Sequence, residues 1–402
     1  KLVLVLFGVL FGALIAEVAL RVAGYSFPNF YVLDDARGYA LLPGAEGWYR
    51  KEGRSYVRIN SDGLRDVEHS IPKPANTLRI ALIGDSYAEA FAVPLDQAFW
   101  YVMKNKLQEC DAASGKTIEV INFGVSGYGT AQELLTLRER VWKYSPDVVM
   151  LAFTTNNDLT DNTRVLKKVD DIPYFTYNND QLVLDNSFRK TSTFVSQRSP
   201  LRRFGRWLRN DSRVVQAIIQ GHRALKALTA SWRARLSQSN ESAPHPASPD
   251  QPNAPGPGVE LGADNLVYRE PHDTLWNTAW QVTEELVKEI GNEVRQHGAK
   301  FVVVTLSNGP QVWPDAAQRE AMKVRFGSND LFYPDNRIRT LCQSQNIPVI
   351  TLAPELAQYA EANHVYLHGF DKNLGNGHWN VTGNRVAGEL IAKKICDAAL
   401  LK

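Results

Sequence analysis

Arg79-Ile80-Ala81-Leu82-Ile83-Gly84-Asp85-Ser86-Tyr87 is a short apolar run that ends in a tight turn carrying a serine. The run is rich in branched residues and has no charge after Arg79. Such a segment reads as a strand buried on both faces, as in a parallel sheet. Gly84 lets the chain turn where the strand ends. Ser86 then falls at the carboxyl edge of the sheet, where open α/β folds bind their ligands. A helix starting there offers free N–H groups to a developing oxyanion. Taken alone, Gly-Asp-Ser is a weak motif, because most such tripeptides are ordinary turns.

The rest of the chain supplies more of the same architecture. Thr117 to Phe123 and Asp147 to Phe153 read as buried strands, as do Lys300 to Leu306 and Ile347 to Leu352. Helical periodicity over Ala131 to Tyr144 and Thr274 to His297 separates them. Alternating strands and helices predict a doubly wound α/β fold with a five-stranded parallel sheet. Ser86, Gly127 and Asn157 each lie just past a strand end, so the sheet should carry all three to one edge. A last helix, from about Thr382 to Leu401, follows His378-Trp379-Asn380. A hydroxyl nucleophile needs a base within hydrogen-bond reach, and Ser86 with His378 forms the natural pair. The N–H groups of Ser86 and Gly127 and the Asn157 amide would receive the oxyanion.

Composition narrows the classes. The 402 residues are 44% hydrophobic, which suits a large folded domain with insertions or two domains. A formal charge of +2 argues against global nucleic-acid electrostatics. Three cysteines, Cys110, Cys342 and Cys396, make neither a metal-ligand pattern nor a disulfide framework. One pair can still bridge in an oxidising compartment.

Residues 2–24 form an apolar run about long enough to cross a bilayer as a tilted helix. Glu17 and Arg21, four apart, can pair on one face of it. A cleaved signal peptide and a buried core helix are the competing readings. Residues 25–77 hold short candidate strands and a turn at Asn60-Ser61-Asp62-Gly63. Arg65 follows that turn, as a possible substrate contact or as a structural arginine. An insertion spans about 164–273. Within it Leu201 to Leu236 is helical and basic, with nine Arg or Lys side chains against the single acid Asp211. These helices read either as a cap on the domain or as an interfacial element on anionic lipid. No recognised nucleic-acid module surrounds them. Residues 237–262 are rich in Pro, Ser, Asn and Gly, the composition of a disordered linker.

Four blocks together resemble the SGNH (GDSL-like) hydrolase superfamily. Gly84-Asp85-Ser86 is similar to its nucleophile block, and Asn122-Phe123-Gly124-Val125-Ser126-Gly127 to its glycine block. Asn156-Asn157-Asp158 and His378-Trp379-Asn380 are similar to its asparagine and histidine blocks. The apolar N-terminus and the Asn60…Arg65 stretch resemble a bacterial membrane-anchored branch. The resemblance implies a flavodoxin-like sheet split into 78–163 and 274–402, no metal or other cofactor, and a serine acyl-enzyme. It implies ester substrates, or acyl groups moved to and from envelope glycans. The place it implies is a bacterial cell membrane, with a single span and the globular domain on the periplasmic or extracellular side.

One departure stands out. The family usually carries an aspartate two or three residues before the histidine, where this chain has Asn376 and Gly375. Asp371 is the nearest upstream acid and the expected substitute. Without an acid the alternative is a silent domain, a structural or interaction subunit of a membrane complex.

Overall fold

The computed structural model describes residues 1–179, 181–240 and 263–401. Strands β1 (Thr77–Gly84), β2 (Thr117–Asn122), β3 (Val148–Thr154), β4 (Lys300–Leu306) and β5 (Val349–Thr351) form one parallel sheet in the order β5-β4-β3-β1-β2. This is the flavodoxin-like order that the resemblance implies. Ile80, Ala81, Leu82 and Ile83 of β1 have no solvent exposure. Their period of two divides them between two cores. Ile80 and Leu82 pack with Trp100, Met103 and Ile391, while Ala81 and Ile83 pack with Leu134, Leu286 and Ile290. Burying each such branched side chain is worth roughly 1.5–3 kcal/mol. Both faces are covered, so the strand needs no polar side and reads as an unbroken apolar run.

Helix α1 (Leu2–Val22) stands apart from this core with none of its residues buried. It is long and apolar enough to cross a membrane, and passes equally as a signal sequence. Helices α2 (Phe99–Glu109) and α3 (Thr130–Glu139) flank the sheet on opposite faces. In the insertion, α4 (Pro200–Asp211) and α5 (Arg213–Asn240) meet at Ser212. Helix α6 (Thr274–Gln296) packs beside α3, and α7 (Val381–Asp397) packs beside α2. Of the proline-rich stretch, residues 237–240 continue α5 rather than start a linker. Residues 241–262 lie outside the described residues.

A disulfide joins Cys110, at the end of α2, to Cys396, in the last turn of α7. It closes a loop 286 residues long. Cross-linking so distant a pair restricts the unfolded chain and contributes about 2–4 kcal/mol. Cys342 stays free and buried.

Residues 25–77 pack a small satellite core onto the loop after Ser86. Phe30, Val57 and Ile59 meet Phe91, Val125 and Tyr128 there. The Ser55 hydroxyl donates to the Phe91 carbonyl at 2.6 Å. Arg65 donates to the Val93 carbonyl at 2.6 Å. The lead-in is therefore a wall of the domain beside the Ser86 turn.

Candidate active site

The carboxyl ends of β1 and β3 are level, with Gly84 opposite Ala152. Strand order reverses between these two strands, which opens a crevice at that edge. Ser86 begins a one-turn helix, Ser86–Glu89, directly after β1. Asp85 caps this turn from a fully buried position. Its Oδ1 accepts from the Tyr87 N–H and the Thr154 hydroxyl, each at 2.9 Å. Its Oδ2 accepts from Asn157 Nδ2 at 3.1 Å. The strand-end turns thus hold each other through one carboxylate, and the second Asn157 N–H is left for another acceptor.

His378 arrives from the loop before α7. Its Nε2 lies 2.7 Å from Ser86 Oγ. Its Nδ1 faces a carboxylate, so Nδ1 carries the proton and Nε2 accepts from the serine hydroxyl. That carboxylate belongs to Glu52, in the lead-in. Glu52 Oε2 is in close hydrogen-bond contact with Nδ1, and Oε1 accepts from the His378 main-chain N–H at 2.8 Å. Asp371, the acid expected from the sequence, is exposed at the start of a 3₁₀ turn and makes no bond to His378 among the described residues. The proposal of Asp371 as orienting acid is therefore corrected to Glu52. Gly377, at φ +79°, permits this: a Cβ there would collide with Glu52 Oε1.

A second histidine frames the loop. His368 Nδ1 lies 2.7 Å from the Gly377 carbonyl and so donates to it. Its Nε2 then accepts from the Ser307 hydroxyl at 3.1 Å, which in turn accepts from Trp379 Nε1 at 2.9 Å. Burial holds the His368 pKa down to about 4, so this ring stays neutral.

Burial lowers the His378 pKa, but the Glu52 hydrogen bond and charge, with Asp85 and Glu89 behind, more than offset it. The net shift is upward. Glu52 moves the other way: desolvation raises its pKa, and the three His378 interactions pull it below the usual range. A general base must be neutral, so activity should fall as pH drops through a midpoint above the ordinary imidazole value of about 6.5. The acid limb of kcat/KM should show this, and Glu52→Gln should move it down. A limb that stays put in that variant refutes the coupling.

Other residues from the sequence sit elsewhere. Arg65 does not reach the crevice: it is buried at 1% exposure under the Phe91 ring. It is a structural arginine that ties the lead-in down. Ser126, not Gly127, lines the crevice with Ser86. The Ser126 N–H is taken by Glu89 Oε1 at 3.0 Å. Gly127 follows at φ +76°, and no hydrogen bond of its N–H is found among the described residues. Glu89 is buried beside the serine and accepts from the Tyr31 hydroxyl at 3.0 Å. Burial raises its pKa to about 7 against these donors and Arg65.

The crevice continues into a pocket of about 560 Å³. Tyr25, Phe27, Trp48 and Tyr49 of the lead-in form one side. Arg209 of α4 and Arg223 of α5 come from the insertion. The Phe27 N–H donates to Gln216 Oε1 at 2.7 Å, and the Asn29 N–H to Asn210 Oδ1 at 3.0 Å. The insertion is thereby clasped to the lead-in beside Ser86. At its α4–α5 junction it is also moored to α1, because Glu17 accepts from Ser212, Arg213 and Val214 at 3.0 Å.

Sequence reasoning missed Glu52 because it sought the acid near His378, whereas the two are 326 residues apart. The available signal was Glu52-Gly53 between two short strand patterns, which a surface turn also shows.

No family model and no curated protein matches the chain. Solved structures do. An acetyl xylan esterase shares 13% identity at a TM-score of 0.38, covering 80% of this chain and 99% of its own. A catalytic mutant of an acetylxylan esterase from Geobacillus stearothermophilus shares 10% identity at 0.37, with 79% and 94% covered. A lipolytic protein of the G-D-S-L family from Desulfitobacterium hafniense shares 10% at 0.35, with 78% and 98% covered.

Proposed function

We propose that this chain is an SGNH-type serine esterase or O-acyltransferase acting through an acyl-enzyme on Ser86. The observation that carries the reading is the continuous relay from Glu52 through His378 to Ser86. Ser86 Oγ attacks the acyl carbonyl and passes its proton to His378 Nε2. Glu52 stabilises the imidazolium and keeps the ring oriented. The Ser86 N–H and the free N–H of Asn157 receive the oxyanion. His378 then protonates the leaving alcohol. Water, or an acceptor hydroxyl, attacks the acyl-enzyme in the second half, with His378 again as base.

The aromatic side of the pocket, with Tyr25, Phe27, Trp48 and Tyr49, favours a ring-shaped substrate such as a sugar. Helix α1 anchors the chain in a bacterial membrane, and the disulfide favours the periplasmic or extracellular side. Helix α4 exposes Leu201, Phe204 and Trp207 among arginines, as an element lying on anionic lipid would. A fluorophosphonate probe added to membranes tests both parts. It should label a membrane-bound band that Ser86→Ala abolishes. Persistent labelling in that variant refutes the nucleophile, and a labelled band only in the soluble fraction refutes the anchor.

A further inference from the structure

The pocket wall carries four cations: Arg50, Lys51, Arg209 and Arg223. The acid among its lining residues is Glu89. Both Glu89 oxygens already accept from the Tyr31 hydroxyl, and one also accepts from the Ser126 N–H. None of the four cations makes an ion pair with a carboxylate among the described residues. Arg50 instead lies over the Phe27 and Trp48 rings, at 5.0 and 5.2 Å from their centroids. Those contacts hold the guanidinium beside the rings without using its N–H groups on a carboxylate.

Arg50, Lys51 and Arg223 are exposed and Arg209 is half-buried, so the like charges on this wall face solvent and are open to a ligand. Arg209 and Arg223 lie in the insertion that Asn210 and Gln216 clasp to the lead-in. The Gln216 amide also braces the two helices, donating to the Asn210 carbonyl at 2.7 Å. A neutral sugar offers such a wall only hydroxyl acceptors, whereas an anionic one offsets the like charges and gains charge-assisted hydrogen bonds.

We infer that the substrate is an acyl ester of an anionic sugar, whose carboxylate or phosphate is held by Arg209 and Arg223 of the insertion with Arg50 and Lys51. This rests on the esterase or transferase reading above. It makes the insertion a specificity element, with the aromatic wall taking the ring and the basic wall taking the charge.

The test is equilibrium binding to the full chain in detergent micelles. Two acetylated disaccharides are compared, one of glucuronic acid and one of glucose. The glucuronate should bind at least tenfold tighter, and rising salt should shrink the difference. Arg209→Gln with Arg223→Gln should bring the ratio of the two dissociation constants toward one. A ratio is internal to each variant, so partial loss of folded protein does not move it. Equal affinities in the unaltered chain, or a ratio that the double variant leaves intact, overturn the inference. Displacement of the bound glucuronate by equimolar glycerol phosphate would put a lipid headgroup in the pocket and overturn the sugar assignment. Binding needs no turnover, so these outcomes stand apart from the fluorophosphonate result that decides the esterase reading.

Discussion

Glu52→Gln should lower kcat for a simple aryl acetate by about a thousandfold to ten-thousandfold, with little change in thermal stability. The glutamine keeps the shape of the side chain but loses the charge. It also presents an amide that can donate to Nδ1, which favours the wrong imidazole tautomer. Both effects strike the step at which His378 becomes positive. Asp371→Asn is the control and should leave kcat within about twofold, since Asp371 is exposed and unconnected to the ring. Gly377→Ala should mimic the loss of Glu52, because the new methyl takes the place of the carboxylate. Steady-state kinetics beside a melting curve distinguish catalysis from folding. If Asp371→Asn is the damaging change and Glu52→Gln is not, the relay drawn here is wrong.

Arg79→Met should destabilise the fold by about 3 kcal/mol or more. Arg79 lies in the first half of β1, the strand that leads to Ser86, and it is fully buried. Its Nε donates to Glu119 Oε2 at 2.6 Å. Its Nη1 donates to the Tyr144 carbonyl at 2.6 Å, and its Nη2 to the Ser70 carbonyl at 2.9 Å. Methionine matches much of the volume but leaves those carbonyls and the carboxylate without their donor. Glu119 keeps 18% exposure and its contact with His69, which holds the effect toward the low end. Urea unfolding measures it: the midpoint should fall with the slope unchanged. A loss below about 1 kcal/mol would mean that the buried cation is not a keystone of the sheet edge.

The parts of this protein legible in the sequence are those set by local pattern. A strand covered on both faces must be apolar throughout, so Ile80 to Ile83 announce a parallel sheet before any contact is known. Parallel strands share one carboxyl edge, so the residues after β1 and β3 converge, and the structure links Asp85 to Asn157 there. The loop before α7 reaches the same edge, with His378 2.7 Å from Ser86. Where the reading stopped short, the deciding contact joins segments distant in sequence. Asp371 is near His378 along the chain but not in space, and Glu52 is the reverse. Arg65 resembles a site arginine until packing beneath Phe91 buries it. The partner of Cys396 and the place of Arg209 and Arg223 beside the serine depend likewise on how layers stack. Periodicity reports which face of an element is buried; only the closed tertiary structure decides which element covers it, and so which charges end up beside Ser86.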